Sequence, residues 1–511
     1  MHNLIYYTSK KCLKQKKQFT IDIGDDMKNK SIWKIDDVNP EVSLQQDINV
    51  DVAIIGGGLA GIMTAYHLRN CSKKIVLLEK DTVGSGLSSS TTGKLTYLQD
   101  QMYPNIAKSR SKEEAKLYFE SQKEALKLAK SIILKHNINC NLTPVASYLF
   151  ASVDNKELKE EKSFLKEVQC PFEECKELPI SFPCKEAIFV HDTYCFHPVK
   201  FIQEIKKLVM NSSIQIYENT RVTALDQENE DYLIFTENHK VKAKQVIITS
   251  HYPFFVIPKL LPLQLKLEKS YLLEAKKENE PNFLAISTDA PNYTFRIDDE
   301  HFVFGGYSHN LASKLDYQKQ KDEMMNTFKR HFNKEIRYVW SAHDITSKDH
   351  IPLIGPLNYN HPNLLIATAF HKWGMTNSFI ASKILSDYIL EKENRYSTLF
   401  SPTRKPTFKG TMDATMNDMV IGGRYLQTKM KEQQPFYKNI HFELHDDEEI
   451  AVYTDEKGKE HKIVYRCPHL KSGLIFDESE KIWICPAHGS KFDIDGNLLE
   501  GPSTCDIAYK K

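Results

Sequence analysis

Short, nearly continuous apolar runs alternate with helix-period segments over most of this chain. Val50 to Ile55, broken only by Asp51, predicts a strand buried on both faces, as a parallel sheet requires. Ile62 to Arg69 then predicts a helix and Ile75 to Leu78 a second strand. Apolar positions that include Leu117, Leu126 and Ile133 predict a long amphipathic helix over Ser111–His136, and another helix is expected over Val199–Val209. Arg221-Val222-Thr223 and Val241 to Thr249 read as a strand pair and a return strand. Alternation over Lys269–Glu274, Tyr293–Ile297 and His301–Tyr307 predicts antiparallel strands. Leu364–Ala369 predicts a further strand, followed by a helix to about Leu390. Pro402 to Lys431 loses this rhythm and reads as a connector. Residues 1–30 are polar, Lys-rich and without hydrophobic period, so they read as an extension, within which Met27 is an alternative start.

At 511 residues the chain has room for two or three domains. Its charge, 68 − 67 = +1, gives no electrostatic reason to expect nucleic acid or an acidic membrane as partner. No apolar run reaches the length of a membrane span, and Met1 to Lys17 has neither an apolar signal core nor a twin-arginine pair, which makes the cytoplasm the default location. The ten cysteines show no disulfide-framework spacing. Cys170, Cys175, Cys184 and Cys195 bunch near His191 and His197, but without a C-x-x-C pair they read as scattered thiols rather than a second metal site.

The chemistry begins where the first strand ends. Gly56-Gly57-Gly58-Leu59-Ala60-Gly61 is a G-x-G-x-x-G fingerprint in its full strand-helix-strand setting. Gly56 permits the turn, Gly58 lets backbone approach a pyrophosphate, and Gly61 lets the helix pack on the strand. Glu79, 18 residues beyond Gly61, can accept hydrogen bonds from a ribose. The stretch Gly84-Ser85-Gly86-Leu87-Ser88-Ser89-Ser90-Thr91-Thr92-Gly93-Lys94 is rich in glycine and hydroxyls, as a loop lining a long cofactor would be; a flexible surface loop has the same composition. Here the chain resembles FAD-dependent oxidoreductases of the D-amino-acid oxidase and glycine oxidase superfamily. The resemblance implies an α/β FAD-binding domain of Rossmann type with an antiparallel substrate sheet. It also implies FAD contacts at Lys80, Ser85, Ser90, Thr91, Thr92, Gly93 and Val222. Phe370-His371-Lys372-Trp373-Gly374-Met375-Thr376-Asn377 resembles the family loop set against the flavin ring, which implicates Trp373, Gly374, Met375 and Thr376. Phe196-His197-Pro198 matches a returning segment in which His197 is structural.

Near the other end stand Cys467-Pro468-His469 and Cys485-Pro486-Ala487-His488-Gly489-Ser490. A C-x-H and a C-x-x-H separated by 15 residues suit a Rieske [2Fe-2S] centre, in which two thiolates hold one iron and two imidazoles the other. A tetrahedral zinc site is the competing reading of two Cys and two His. The segment resembles Rieske domains in Cys467, His469, Cys485 and His488, in Gly489-Ser490, and in Phe492-Asp493 and Asp495-Gly496 through Gly501-Pro502. This implies a small all-β domain. It departs from the commonest pattern at Ser472 and Ala487, where many members carry a disulfide, and at Phe492, where high-potential members have a tyrosine that donates to cluster sulfur. The reduction potential expected is therefore low or middling within about −150 to +300 mV.

The resulting organisation is an extension at 1–30, an FAD module at 31–405, a linker at 406–435 and a Rieske domain at 436–511. Trp340-Ser341-Ala342-His343-Asp344 resembles the segment that enters the flavin site, where relatives often place an arginine for a substrate carboxylate. Asp344 instead favours an ammonium. Asp344 and Lys372 are the candidate catalytic groups, and Arg296 is a candidate carboxylate clamp. The expected activity is oxidation of an amine or amino acid, with electrons passing from FAD to the cluster and on to an external acceptor, for which a protein is one candidate. The absence of a second G-x-G-x-x-G disfavours a built-in nicotinamide domain. A pure electron relay between protein partners, or a redox sensor without turnover, remains open on the sequence.

Overall fold

The computed structural model describes residues 31–35, 40–253, 265–311, 317–358, 360–405, 439–445, 448–468, 471–478, 480–487, 489–501, 503 and 505–509. The extension at 1–30 and the linker expected at 406–435 lie outside them. The first strand, β1 (Ile48–Ile55), pairs in parallel with Lys240–Ile248 on one side and with β2 (Ile75–Leu78) on the other. Ile54 stands opposite both Ile247 and Leu77, so the sheet centre is apolar on both faces. Gln215–Tyr217 extends the sheet beyond β2. His361–Thr368 extends it in parallel beyond Lys240–Ile248, and Leu353–Asn358 closes that edge antiparallel.

Helix α1 (Leu59–Leu68) covers this sheet together with Pro198–Met210, Lys112–Lys135 and Gly374–Ile389. The long amphipathic helix starts at a side-chain cap: Ser111 accepts a hydrogen bond from the N–H of Glu114, a bond that satisfies one of the helix's unpaired donors. His197 does the same for Pro198–Met210, its Nδ1 accepting from the N–H of Lys200 at 3.2 Å, so this imidazole is a helix cap.

A second, mostly antiparallel sheet of nine strands stands beside the first, with Ile336–Ser347 at its edge and Leu265–Lys276 next to it. Its far face is an aromatic core that includes Phe295, Phe302, Phe304 and Phe332, covered by the helix Tyr317–His331. The four cysteines that bunch in sequence separate here. Cys170 joins the main core, Cys195 packs with Val145 and Leu284, and Cys175 and Cys184 pack against the aromatic core.

The C-terminal region is all β. Ile440–His445, Glu448–Thr454 and Glu460–Val464 form one antiparallel sheet; Ile475–Asp477, Ile482–Ile484, Lys491–Asp493 and Leu498–Glu500 form another. Trp483, Tyr465, Phe476 and Phe492 fill the space between. This region packs against the larger module. Ile482 and Ile484 pack into the same core as Leu265, Leu267 and Ile345 of the larger module. Lys269, wholly buried, reaches the carboxylates of Asp477 and Glu480, and Glu480 also accepts from the Ser341 hydroxyl at 2.6 Å. Among the described residues no helix is long and apolar enough to cross a membrane.

Arg296 is the largest buried cation of the second sheet, 1% exposed. Its guanidinium donates to the carbonyls of Thr92, Gly93 and Phe196 and pairs with Asp298 at 2.7 Å. Burial alone would raise the Asp298 pKa; Arg296 and the N–H groups of Glu300 and His301 hold it below its ordinary value. The carboxylate-clamp expectation is therefore overturned, because every face of this guanidinium is committed within the protein. Arg296→Met leaves Asp298 buried without its cation and should destabilise the protein by about 3 kcal/mol or more, read as a lowered midpoint in chemical denaturation.

Candidate functional site

At the end of β1 the chain turns through Gly56, whose φ of +105° is open to glycine. A Cβ there would lie 2.8 Å from the Ser250 nitrogen. Gly58 precedes α1, and a Cβ on Gly61 would fall 1.9 Å from the Gly56 carbonyl oxygen, so this contact between helix and strand needs glycine. The Glu79 carboxylate accepts from the N–H of Gly57 at 2.6 Å and of Asp81 at 3.0 Å; burial raises its pKa. Ser88 comes from the following loop and accepts from the N–H of Leu59 at 3.1 Å, which sets that loop against the start of α1.

The loop itself is held from behind. Trp340 Nε1 donates to the Ser90 carbonyl at 3.1 Å and Trp33 Nε1 to that of Thr91 at 2.5 Å. Arg296 takes the carbonyls of Thr92 and Gly93 at 2.8 and 3.1 Å. Four consecutive carbonyl oxygens are thus pinned by three side chains distant in sequence. Trp33 lies over the Arg296 guanidinium, 4.4 Å from ring centre to cation, and binds it into the same assembly.

In front of this loop opens a cavity of about 670 Å³. Gly56, Gly58, Glu79 and Lys80 line one part of it; Ser85, Ser90, Thr91 and Thr92 another; Val222, Trp373, Gly374 and Met375 also face it. Gly61, Gly93 and Thr376 stand behind the wall. Gly93 backs onto Arg296, and the Thr376 hydroxyl donates to the Thr96 carbonyl at 3.2 Å. Two imidazoles line the cavity with buried nitrogens that no described residue satisfies: Nε2 of His251 and both ring nitrogens of His343. Burial lowers both pKa values, which keeps these rings neutral. Unpaired buried polar atoms beside a glycine cradle and a helix N-terminus fit a dinucleotide, which brings phosphate oxygens and hydroxyls.

At the other end the backbone is strained. Ala369, His371 and Lys372 all have positive φ, of 61°, 54° and 67°, a conformation costly for residues with side chains. His371 holds it: its Nε2 faces the N–H and the hydroxyl of Ser347 at 2.8 and 2.7 Å, and burial keeps the ring neutral. The result aims Lys372 at the cavity and starts the helix Gly374–Ile389 at its edge. Lys372 Nζ lies 2.6 Å from Glu268 and 2.5 Å from the Ser308 hydroxyl. Glu268 and Asp344 are direct cross-strand partners and so share a face. Burial pushes Asp344 up to about 6, despite Lys372, and Asp100 is pushed to about 6 in the same way. Burial opposes the charge on Lys372, but Glu268, Asp344 and Asp100 together raise its pKa. Glu268 thus contacts this ammonium directly, and Asp344 and Asp100 act on it through their charge. Lys94 also lines the cavity, bonded to the Ala285 carbonyl at 2.8 Å and the Thr294 hydroxyl at 2.5 Å, and burial lowers it to about 7.

The two Cys-His loops of the C-terminal region repeat one backbone design. Cys467 N–H donates to the Ser472 carbonyl at 2.9 Å and Cys485 N–H to that of Ser490 at 2.7 Å. Each Cys carbonyl accepts from the residue four positions on, Lys471 or Gly489, at 2.8 Å, and both of those residues have positive φ. Cys467 and Cys485 are buried; His469 and His488 lie outside the described residues. A pair of matching loops, each presenting one buried thiol, fits a cluster held from two sides. The Ser490 hydroxyl accepts from the N–H of Ser503 at 2.9 Å, which leaves its own hydrogen to donate. Phe492 sits in the domain core beside Trp483. A Cβ on Gly489 would come within 3.2 Å of Leu267, whose chain neighbour is Glu268. The second loop thus rests on one side of the Leu265–Lys276 strand while Glu268, Asp344 and Lys372 gather on the other.

Sequence reasoning missed Trp33, Glu268, Asp100 and His251. Trp340 and His343 lie in the segment that resembles one entering the flavin site, and Lys94 ends the glycine- and hydroxyl-rich loop, but none of the three was given a role.

A family model described as FAD dependent oxidoreductase matches residues 51–388, and one described as Rieske [2Fe-2S] domain matches residues 426–509. Among curated proteins the chain is 28% identical over 485 residues to YhfW of Bacillus subtilis (strain 168), described as a Rieske 2Fe-2S iron-sulfur protein; the match covers 92% of this chain and 95% of that one. It is 21% identical over 417 residues to the gamma-glutamylputrescine oxidoreductase of Escherichia coli (strain K12), 76% and 94% of the two chains. The crystal structure of glycine oxidase from Geobacillus kaustophilus shares the fold at a TM-score of 0.56 and 16% identity, over 70% of this chain and 99% of that one.

Gly61→Ala should force α1 away from β1 and abolish retention of flavin through gel filtration. Cys485→Ser should remove the reduced cluster's EPR signal, because serine does not replace a thiolate ligand of an iron-sulfur centre without altering it.

Proposed function

This chain belongs to the family of FAD dependent oxidoreductases, and on that premise we propose that it oxidises a small amine and delivers the electrons to an external acceptor by way of its Rieske domain. The FAD-binding fold and the Rieske domain bring FAD and a [2Fe-2S] cluster, which supply hydride acceptance and a one-electron outlet. The proposed boundaries are 31–405 for the FAD module, 406–435 for the linker and 436–511 for the Rieske domain. Proposed contacts to FAD are the Gly56–Gly61 turn, Glu79, Ser90 to Thr92, Val222 and Trp373 to Met375. Proposed ligands of the cluster are Cys467, His469, Cys485 and His488.

The observation that carries the amine reading is Asp344 in the cavity wall, paired across the strands with Glu268, which engages Lys372 at 2.6 Å. With Arg296 committed to carbonyls and to Asp298, no guanidinium is left for a substrate carboxylate at this end, and Asp344 lines the cavity beside Lys372, whose own charge is taken up by Glu268. An ammonium is attracted there and a free carboxylate is repelled. The relative named for gamma-glutamylputrescine, itself an amine, supports the same class. Asp344 orients the ammonium and, with a pKa raised to about 6, accepts a proton from it so that the nitrogen lone pair can assist loss of hydride from the adjacent carbon. Lys372 keeps Glu268 ionised against its burial and holds it in place. The substrate loses two electrons and becomes an imine.

Anaerobic titration with a panel of amines and amino acids should bleach the flavin absorbance and raise the reduced cluster's EPR signal in one sample. Peroxide formed in step with product while the cluster stays oxidised would overturn the outlet, and a flavin that no panel member bleaches would favour a relay between protein partners. A second expectation concerns pH. Asp344 has a raised pKa, so it is neutral below about 6 and charged above; kcat/KM for a cationic amine should rise as pH increases through about 6. Asp344→Asn should flatten that limb and lower kcat/KM by about 10²-fold.

A further inference from the structure

We infer that the Rieske domain is the lid of the FAD site, its last hairpin closing over the adenosine end so that cofactor exchange requires the two modules to part. The inference rests on the FAD reading of the cavity. Glu79, the expected ribose acceptor, marks the adenosine end, and Val222, Leu498, Leu499, Glu500 and Gly501 line the same cavity, the last four from the C-terminal domain. The chain neighbours of Glu79 and Val222 tie that wall down. Lys80 Nζ donates to the Leu499 carbonyl at 2.7 Å and Arg221 Nη2 to the Leu498 carbonyl at 3.2 Å.

The hairpin is stiff enough to act as a wall. Lys491 pairs with Glu500 at 2.6 Å, the N–H of Leu498 donates to Asp506 at 2.8 Å, and Ser503 bonds back to Ser490. The domain carrying it is also firmly seated. Lys269 lies buried between Asp477 and Glu480, and Ile482 and Ile484 share a core with Leu265 and Ile345. Such an arrangement is a packed interface with a buried charge lock, and its separation exposes apolar surface. If bound adenosine touches the hairpin, cofactor and docking must stabilise each other by the same factor.

The test uses the full chain with its cluster in place, freed of flavin. Hydrogen exchange in residues 498–503 is followed with FAD, ADP or FMN added. FAD and ADP should each slow exchange there by about tenfold or more, a usual size for coupling between sites, and FMN should not. In the FAD-loaded protein Lys269→Met should speed FAD release, followed by recovery of flavin fluorescence, by about tenfold with the cluster's visible absorbance retained. Bound FAD that leaves exchange at 498–503 unchanged would overturn the lid alone; FMN protecting as strongly as ADP would overturn the adenosine assignment. Failure of any flavin to bind would overturn the cofactor reading and the lid with it.

Discussion

The pinning of four successive carbonyl oxygens, from Ser90 to Gly93, is the constraint on which the cofactor cavity depends. A loop of small hydroxyl residues has no core of its own and would by itself sample many conformations. Here Trp340, Trp33 and Arg296 occupy its carbonyls from behind, which commits its hydroxyl face to the cavity. Each of these three side chains is nearly or wholly buried, so the anchors are themselves fixed by packing. The loop has the rigidity of the sheet behind it without belonging to that sheet.

What could be read in the chain follows from how local each feature is. The strand, glycine turn, helix, second strand and Glu79 occur within one short stretch, and the periodic pattern carries them. The Cys-His pairs are likewise visible as spacing. Trp33, Arg296 and Trp340 act on residues 58, 204 and 250 positions away, and nothing local in their surroundings reports those partners. Arg296 shows the cost of this: a cation in a substrate sheet reads as a clamp until the carbonyls at 92, 93 and 196 are seen around it. Asp344 was legible as a charge in a segment that resembles one entering the flavin site. Glu268, which pairs with it across the strands, and Asp100, which acts with it on Lys372, come near it only through strand pairing and folding.

The ribbon of Leu265–Lys276 and Ile336–Ser347 joins the two halves of the chemistry. Antiparallel pairing puts Glu268 and Asp344 on one face, and alternation puts Leu267 and Lys269 on the other. Asp344 of the first face lines the cavity, and Leu267 and Lys269 of the second meet the loop of Gly489 and the carboxylates of Asp477 and Glu480. A slip of one residue in this ribbon would exchange the two sets. Substrate electrostatics and domain docking are therefore set by a single register.

The reach of these contacts along the chain also imposes an order on synthesis. The loop at 90–93 cannot be set until Trp340 has been made, nor the cavity wall until Ser378, whereas the hairpin at 498–500 is made about 120 residues after that. At roughly 5–20 residues per second that interval is about 6–24 s, during which the proposed lid is not yet present. On the proposed lid, a nascent chain passes through a stage at which the cofactor enters by a door that the finished protein keeps shut.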